Sequence, residues 1–515
     1  MSQSIENKSM SQFQKIILLV LFITAVIIGL YINKDYGIAW DDHFQVEIGQ
    51  HNYEFANGIN DKLLSNPGNV FGAAFELPLY ILQNLSSDFE TQVKIRHLAT
   101  HFYFLFSLYI FFKLLYKLFN SFDLALIGVF FLYLHPLLFA HSFFNTKDLP
   151  FLSTFIISIY TLYLLANNIS NFKLIILHSF VSAFLIDIRL LGLLIPLLTV
   201  SYIILINTEK LQLQKLIKPL SIYFILLIMF IYVLWPALWS MPKLIFYSLL
   251  SMSHYPSSVV NIFNGELFHC ASNPWHYIPI WITISTPIIV LLLYIYGLSS
   301  TLINFIKEKF SLNNKRKVLI LILSSIPVDL WILFLIIKPS FYDGWRHLFF
   351  LSPLIVIGAI NGFSSLLNII YNDKYKQTFT KLFLLFFILI MGGKMFELHP
   401  YQQVYLNSFI SKDSTNIRKN WEMDYWGLSY KEGFEKLLSI DSSITIKVKA
   451  ANVSAIDNWK LVNEGDSRIK LVDEIEDADY YISNYRFHPN EYPYQRVYSI
   501  NRQGSRILSI YKIKK

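Results

Sequence analysis

Apolar residues gather into long runs at about 15–32, 98–117, 122–140, 149–167, 172–187, 190–207, 218–235, 276–298, 317–337, 347–367 and 380–394. Most approach the ~20 residues that a helix needs to cross a hydrocarbon layer of ~30 Å, so the pattern predicts roughly eleven spanning helices. Asp187 and Arg189 are the main thing dividing the runs at 172–187 and 190–207. After about Phe396 the apolar character stops. There "SYKEGFEKLLSI" (429–440) has helical spacing and "ITIKVKA" (444–450) alternates with the period of a half-buried strand. "RVYSINRQGSRILSIYKI" (496–513) reads as two strands around an Asn-Arg-Gln-Gly turn. The expected fold is an all-α polytopic membrane domain over 1–395, followed by a small α/β domain over 396–515. No internal repeat and no low-complexity tract is visible.

Composition agrees. The chain is 54% hydrophobic and 15% charged, against about 25% charged in ordinary soluble domains. The net charge of +8 reads as lysine-rich loops, since no basic stripe interleaved with aromatics marks a nucleic-acid surface. With the N-terminus cytoplasmic, alternate loops carry Lys113 and Lys117, then Lys173, then Lys210, Lys215 and Lys218. The same side takes the group from Lys307 to Lys317 and the group from Lys374 to Lys381. Most loop carboxylates fall on the other side, a positive-inside pattern for a plasma (inner) membrane protein with its C-terminal domain extracytoplasmic. The run at 15–32 is too long for a signal-peptide core and lacks a small-x-small cleavage site, so it reads as an uncleaved first span. The single cysteine, Cys270, excludes an intrachain disulfide and, by count, zinc fingers and iron–sulfur clusters. Two outer loops are long, 33–96 and 236–275, and "FGAAFELPLYILQNL" (71–85) can form a helix lying in the interface.

Chemistry concentrates in the outer segments. "AWDDHFQ" (39–45) sets Asp41 beside Asp42. Either can cap a helix beginning near His43. Alternatively, mutual repulsion and partial burial raise one carboxyl pKa and make it a general base near neutral pH. In "HSFFNTKDLPF" (141–151), Asp148 stands two residues before Pro150, as a helix start does, while Lys147 runs against the positive-inside bias. Asp187 and Arg189 are ionisable groups at membrane depth and therefore functional candidates. "KPSFYDGWRHLFFLSP" (338–353) groups Arg346 and His347 with Tyr342 and Asp343, either as an aromatic belt with snorkelling cations or as a site. Glu266, with His269 and His276 nearby, offers a further pocket candidate and a weak metal set. Carboxylates from one loop and cations from others suit deprotonation of a hydroxyl beside an anionic lipid leaving group.

Four motifs in one order carry a resemblance: "WDDHF" (40–44), "FNTKDLPF" (144–151), "YDGWRH" (342–347) and "EMDYWGLSYKEG" (422–433). They resemble segments of the multi-spanning glycosyltransferases that use polyprenyl-phosphate sugars. That superfamily, of the GT-C fold, includes protein O-mannosyltransferases and the aminoarabinose transferases that modify lipid A. "FNTKDLPF" is similar to the bacterial form "NPKDIPF", with Thr146 replacing proline. The resemblance implies an inverting membrane glycosyltransferase that displaces polyprenyl phosphate at the outer surface. It aligns Asp41 with the catalytic acid, Asp42 with a position often occupied by glutamate, and Asp148 with a second-loop acid that binds a metal or orients the acceptor. Lys147, Arg189, Arg346 and His347 become donor-phosphate candidates, and His43, Glu266, Asp343 and Tyr342 further pocket candidates. The sugar, the acceptor (lipid, glycan or protein) and a divalent metal stay open.

Two other classes compete. A flippase for lipid-linked saccharides would favour deep charges and inverted repeats. An assembly protein would act through the segment 396–515.

Overall fold

In a computed structural model, the described residues are 10–207, 214–253, 259–309, 311–312, 314–410 and 417–513. Lys210, one of the loop lysines above, lies outside them. Every apolar run is largely helical, but not every run is one helix. Among the described residues, eight helices are long and apolar enough to cross a membrane, or up to nine if a bent pair counts as one span. That is fewer than the eleven expected, for two local reasons, at 122–140 and at 172–207. The run at 122–140 splits into Phe122–Tyr133 and Pro136–Phe144, bent by 64°, because His135 precedes a proline and is extended at ψ 111°. The run at 276–298 breaks the same way at Thr286, with ψ 140° before Pro287, yet still supplies the span Ile288–Lys307. The runs at 172–187 and 190–207 form helices Phe172–Ile188 and Leu194–Leu205 of 17 and 12 residues, with Arg189 extended between them.

Helix Ile288–Lys307 packs backbone to backbone on helix Ser352–Ile369. A Cβ on Gly297 would stand 2.0 Å from the Gly358 carbonyl oxygen, and one on Gly362 2.2 Å from that of Leu293. Small residues let spanning helices approach this closely, which is where their packing energy comes from. Gly297→Ala is therefore expected to part the two helices and destabilise by about 1–3 kcal/mol. Gly392→Ala, with nothing within 4 Å of the new Cβ, is the neutral control. Thermal unfolding in detergent reads the difference, and equal midpoints for both variants would refute the packing argument.

Beyond Leu398 the chain builds a five-stranded mixed sheet. Its spatial order is Ile469–Leu471, Ile446–Ala450, Tyr480–Ser483, Ser505–Lys512, Gln495–Arg502. The first three strands are parallel and the last two join antiparallel. The expected turn closes the final hairpin, with Gln503 and Gly504 at φ 50° and 74°, the left-handed pair such turns require. Helix Tyr430–Ile440 covers the sheet through Tyr430, Phe434 and Leu437, all fully buried.

This C-terminal unit sits on the loops that leave the helical bundle. Asn458 brackets Ile38, accepting from its N–H at 2.9 Å and donating to its carbonyl at 2.9 Å. Trp40 N–H donates to the Trp426 carbonyl at 3.0 Å. The long loop after residue 236 contributes the hairpin Val260–Phe263/Glu266–His269, bridged to Trp421. In 71–85 the helix is Glu76–Gln83, which buries Glu76, Leu79 and Gln83 and exposes Ile81 and Leu82.

Candidate functional site

The segment Tyr36–Ala39 runs buried under the C-terminal unit and delivers Asp41 to the start of helix Asp42–Ala56. Asp41 occupies the cap position, but its side chain makes no capping hydrogen bond. Its Oδ2 instead accepts from Arg346 Nη2 at 3.4 Å, and the side chain keeps 39% of its surface accessible. Asp42 turns the other way, where its Oδ1 accepts from Arg96 Nε at 3.2 Å. Arg96 is buried, and also donates to Glu76 at 3.1 Å and Gln83 at 2.9 Å. The adjacent acids thus separate by role: Asp42 is committed to a buried ion-pair network, and Asp41 keeps an accessible carboxylate beside Arg346.

Asp148 opens helix Asp148–Asn167, with Pro150 in its first turn as expected, yet Asn145 does the capping. Asn145 Oδ1 accepts the N–H of Lys147 at 3.2 Å and of Asp148 at 2.8 Å. That frees the Asp148 carboxylate for cations. Its Oδ1 pairs with Arg189 Nη2, and its Oδ2 with Arg346 Nη1 at 3.1 Å. Asp187, two residues before Arg189, takes no part in these ion pairs. It accepts the Ala74 N–H at 2.7 Å, pinning the first long loop to the helix that presents Arg189.

Arg346 stands at the centre. Asp343 and Gly344 take φ 58° and 68°, a left-handed turn that Asp tolerates and Gly favours. The turn swings the chain into a short 3-10 segment, Arg346–Leu351, ahead of helix Ser352–Ile369. Arg346 then directs Nε to Asp343 at 3.2 Å, Nη1 to Asp148 and Nη2 to Asp41. Tyr342 and Trp426 rings lie at 5.0 Å from the guanidinium carbon. His347 packs edge-on against Tyr342. Lys147 projects its ammonium onto the Phe71 ring, 3.2 Å from the centroid, and has no ion pair among the described residues.

Four distant segments thus bring together Asp41, Lys147, Asp148, Arg189, Tyr342, Asp343, Arg346 and His347. The remaining candidates lie elsewhere. His43 pairs with Asp457 at 3.4 Å. Glu266 is exposed on its hairpin, and so is His269. Among the described residues no group of three or more His, Cys, Asp or Glu is arranged to hold a metal ion.

Sequence reasoning missed the Arg96 network and the contribution from beyond residue 398. Glu76 and Gln83, seven apart on one face of a short helix, were the available signal for the first. For the second, the motif at 422–433 already held Glu422 and Trp426, and only Arg486 carried no signal. Trp426 Nε1–H donates to Asp343 at 3.3 Å, and Arg486 Nη2 reaches the same carboxylate at 2.8 Å. Glu422 stands beside them, and its Oε2 is buried without a partner among the described residues.

Burial and charge shift these groups in different directions. Burial raises Asp41, opposed by Arg346 and reinforced by Asp343 and Asp148. Burial also pushes Asp343 up, but Arg486 and Arg346 outweigh it and hold that carboxyl below its ordinary value. Burial lowers Lys147 well below the usual lysine range, with Arg189 adding to the effect. Asp41 is therefore shifted upward where Asp343 is shifted downward, and it is the accessible one of the two; burial pushes Glu422, behind them, up to about 8.

Two structures of ArnT from Cupriavidus metallidurans, one bound to undecaprenyl phosphate and one in the apo state, align with this chain at a TM-score of 0.49. Their identities are 9% and 10%, covering 96% of this chain and 98% and 97% of theirs. The oligosaccharyltransferase of Archaeoglobus fulgidus, in complex with zinc and sulfate, aligns at a TM-score of 0.46 and 9% identity, over 89% of this chain and 68% of that one. No family model and no curated protein matches the chain. At that level of similarity only this chain's own residues speak to its chemistry.

Proposed function

We propose that this chain is a membrane glycosyltransferase, moving a sugar from a polyprenyl-phosphate donor to a hydroxyl of a lipid, glycan or protein on the outer side of the membrane. The observation that carries the reading is the division of labour among the site acids. Asp148 and Asp343 are buried between arginines, whereas Asp41 holds one cation at 3.4 Å and remains accessible. In the proposed step the acceptor oxygen attacks the anomeric carbon and passes its proton to Asp41. The bond from that carbon to the phosphate oxygen breaks, its electron pair leaves on polyprenyl phosphate, and the centre inverts. Arg346 has a carboxylate at each nitrogen, so it orients Asp41. The leaving phosphate falls to Lys147 and to Arg189, whose buried Nε has no partner among the described residues. Fixed cations in a poorly solvated cleft stabilise such developing charge strongly.

Purified protein in detergent, given polyprenyl-phosphate sugars and envelope extracts as acceptors, tests this. Acceptor-dependent release of polyprenyl phosphate is the expected result. Detergent leaves a flippase nothing to transport, so binding without release would favour that class.

The rate should also follow a bell in pH. Asp41 must be ionised to accept the proton. Because its pKa is raised, activity falls as pH drops through a value above the ordinary carboxylate range. Lys147 must be charged to hold phosphate. Because its pKa is lowered, the donor KM climbs as pH rises through a value below the ordinary lysine range. An acid limb at the ordinary carboxylate value would contradict the first assignment, and a donor KM that climbs only at the ordinary lysine value the second.

A further inference from the structure

We infer that the C-terminal unit is a working part of the cleft, with Arg486 as a positioning residue that keeps Asp41 charged by acting through Asp343 and Arg346. The inference rests on the reading of Asp41 as the base. It begins with connectivity. Arg486 Nη2 meets Asp343 Oδ1 at 2.8 Å, Asp343 Oδ2 meets Arg346 Nε at 3.2 Å, and Arg346 Nη2 meets Asp41 at 3.4 Å. Arg486 and Asp343 keep 6% and 4% of their side-chain surface. Nothing in solution can stand in for either charge.

The backbone points the same way. Arg486 is presented between Tyr485 and Phe487, at φ 62° and 63°. Left-handed conformations are unfavourable for aromatic residues and persist where surrounding structure imposes them, commonly at functional sites. Tyr485 is held by hydrogen bonds to Ser509 and Tyr511 at 2.6 and 2.7 Å. Phe487 leans edge-on against Trp40, next to Asp41. The facing partner, Asp343, is also left-handed. Both ends of the contact thus adopt uncommon backbone to make it.

Charge balance gives the consequence. Asp41, Asp148 and Asp343 interleave with Arg189, Arg346 and Arg486, three acids against three guanidiniums. Other groups also act on Asp41. Lys147 favours its charged form, while Tyr342 and His43 lie within electrostatic reach. Glu422 acts on Arg486 and Asp343 from the far side. Removing Arg486 leaves three acids for two guanidiniums. Asp343 then claims more of Arg346, and Asp41, the most accessible acid, takes up a proton.

Carbodiimide labelling with peptide mapping reads this without turnover, because the reagent modifies protonated, accessible carboxyls. On the full chain in detergent, Arg486→Gln should move the half-labelling pH of Asp41 upward by about one unit. Arg486→Lys, which restores the charge, should return it to the wild-type position. Asp343→Asn should move it down, because Arg346 is released toward Asp41 and a neighbouring negative charge is lost. This variant serves even if Arg486→Gln fails to fold. An Asp41 curve unmoved in the folded variants, or moved alike by Gln and Lys, overturns the inference. If the curve moves as stated while Asp41→Asn still transfers sugar at the wild-type rate, the relay stands and the base assignment falls.

Discussion

Arg346→Gln is expected to cost both the fold and the activity. The guanidinium is buried and neutralises Asp41, Asp148 and Asp343 through separate nitrogens. An amide side chain carries no charge and offers two N–H donors on a single nitrogen, so it cannot satisfy all three. Breaking a buried ion pair from one side typically costs about 3–5 kcal/mol, because the partner charge is left uncompensated. Here three partners are affected, although Asp148 keeps Arg189 and Asp343 keeps Arg486. The thermal midpoint in detergent should drop by several degrees and transfer should vanish. Arg346→Lys should not rescue either, since an ammonium on a flexible stem cannot reproduce three fixed donor directions. A lysine variant with wild-type midpoint and rate would show that Arg346 supplies charge alone.

Asp41→Asn should behave in the opposite way, with structure kept and chemistry lost. The side chain is accessible, caps nothing, and has a single contact to Arg346 that an amide oxygen can still accept. Expression, thermal midpoint and donor binding should stay near wild type. Transfer should fall by roughly 10²–10⁴-fold, the usual contribution of a positioned general base. Single-turnover assays with bound donor separate the two effects. The remaining activity should also lose the acid limb of its pH profile, because the group responsible for it no longer titrates. Rapid transfer with that limb intact would move the base to another carboxylate.

Much of this architecture could be read in the residues. Long apolar runs become helices because burying side chains in lipid obliges the backbone to satisfy itself. The two strands and turn at 496–513 emerged as expected because period-two alternation and a left-handed Gln-Gly pair are local signals. The span count was less legible. A proline inside a hydrophobic run leaves hydropathy high while forcing the residue before it out of the helix, as at His135.

The candidate site divides along the same line. Asp41, Lys147, Asp148 and Arg346 lie in short motifs whose residue types declare their chemistry, so they could be named before any fold was known. Which acid stays free could not be. Asp41 and Asp42 are neighbours with nearly identical local signals, and only the packing of Arg96 against helix Glu76–Gln83 commits one of them. Nor could the chain announce that Arg486, far from every motif, closes on Asp343. Residue pattern was enough to specify a helical membrane protein, its C-terminal sheet and the supply of acids and cations at the loop ends, because hydrophobic run length and turn chemistry act over a few residues. Which charges neutralise one another was settled only by the packing of the whole chain, because ion pairing depends on close approach between groups such as Asp41 and Arg346, 305 residues apart.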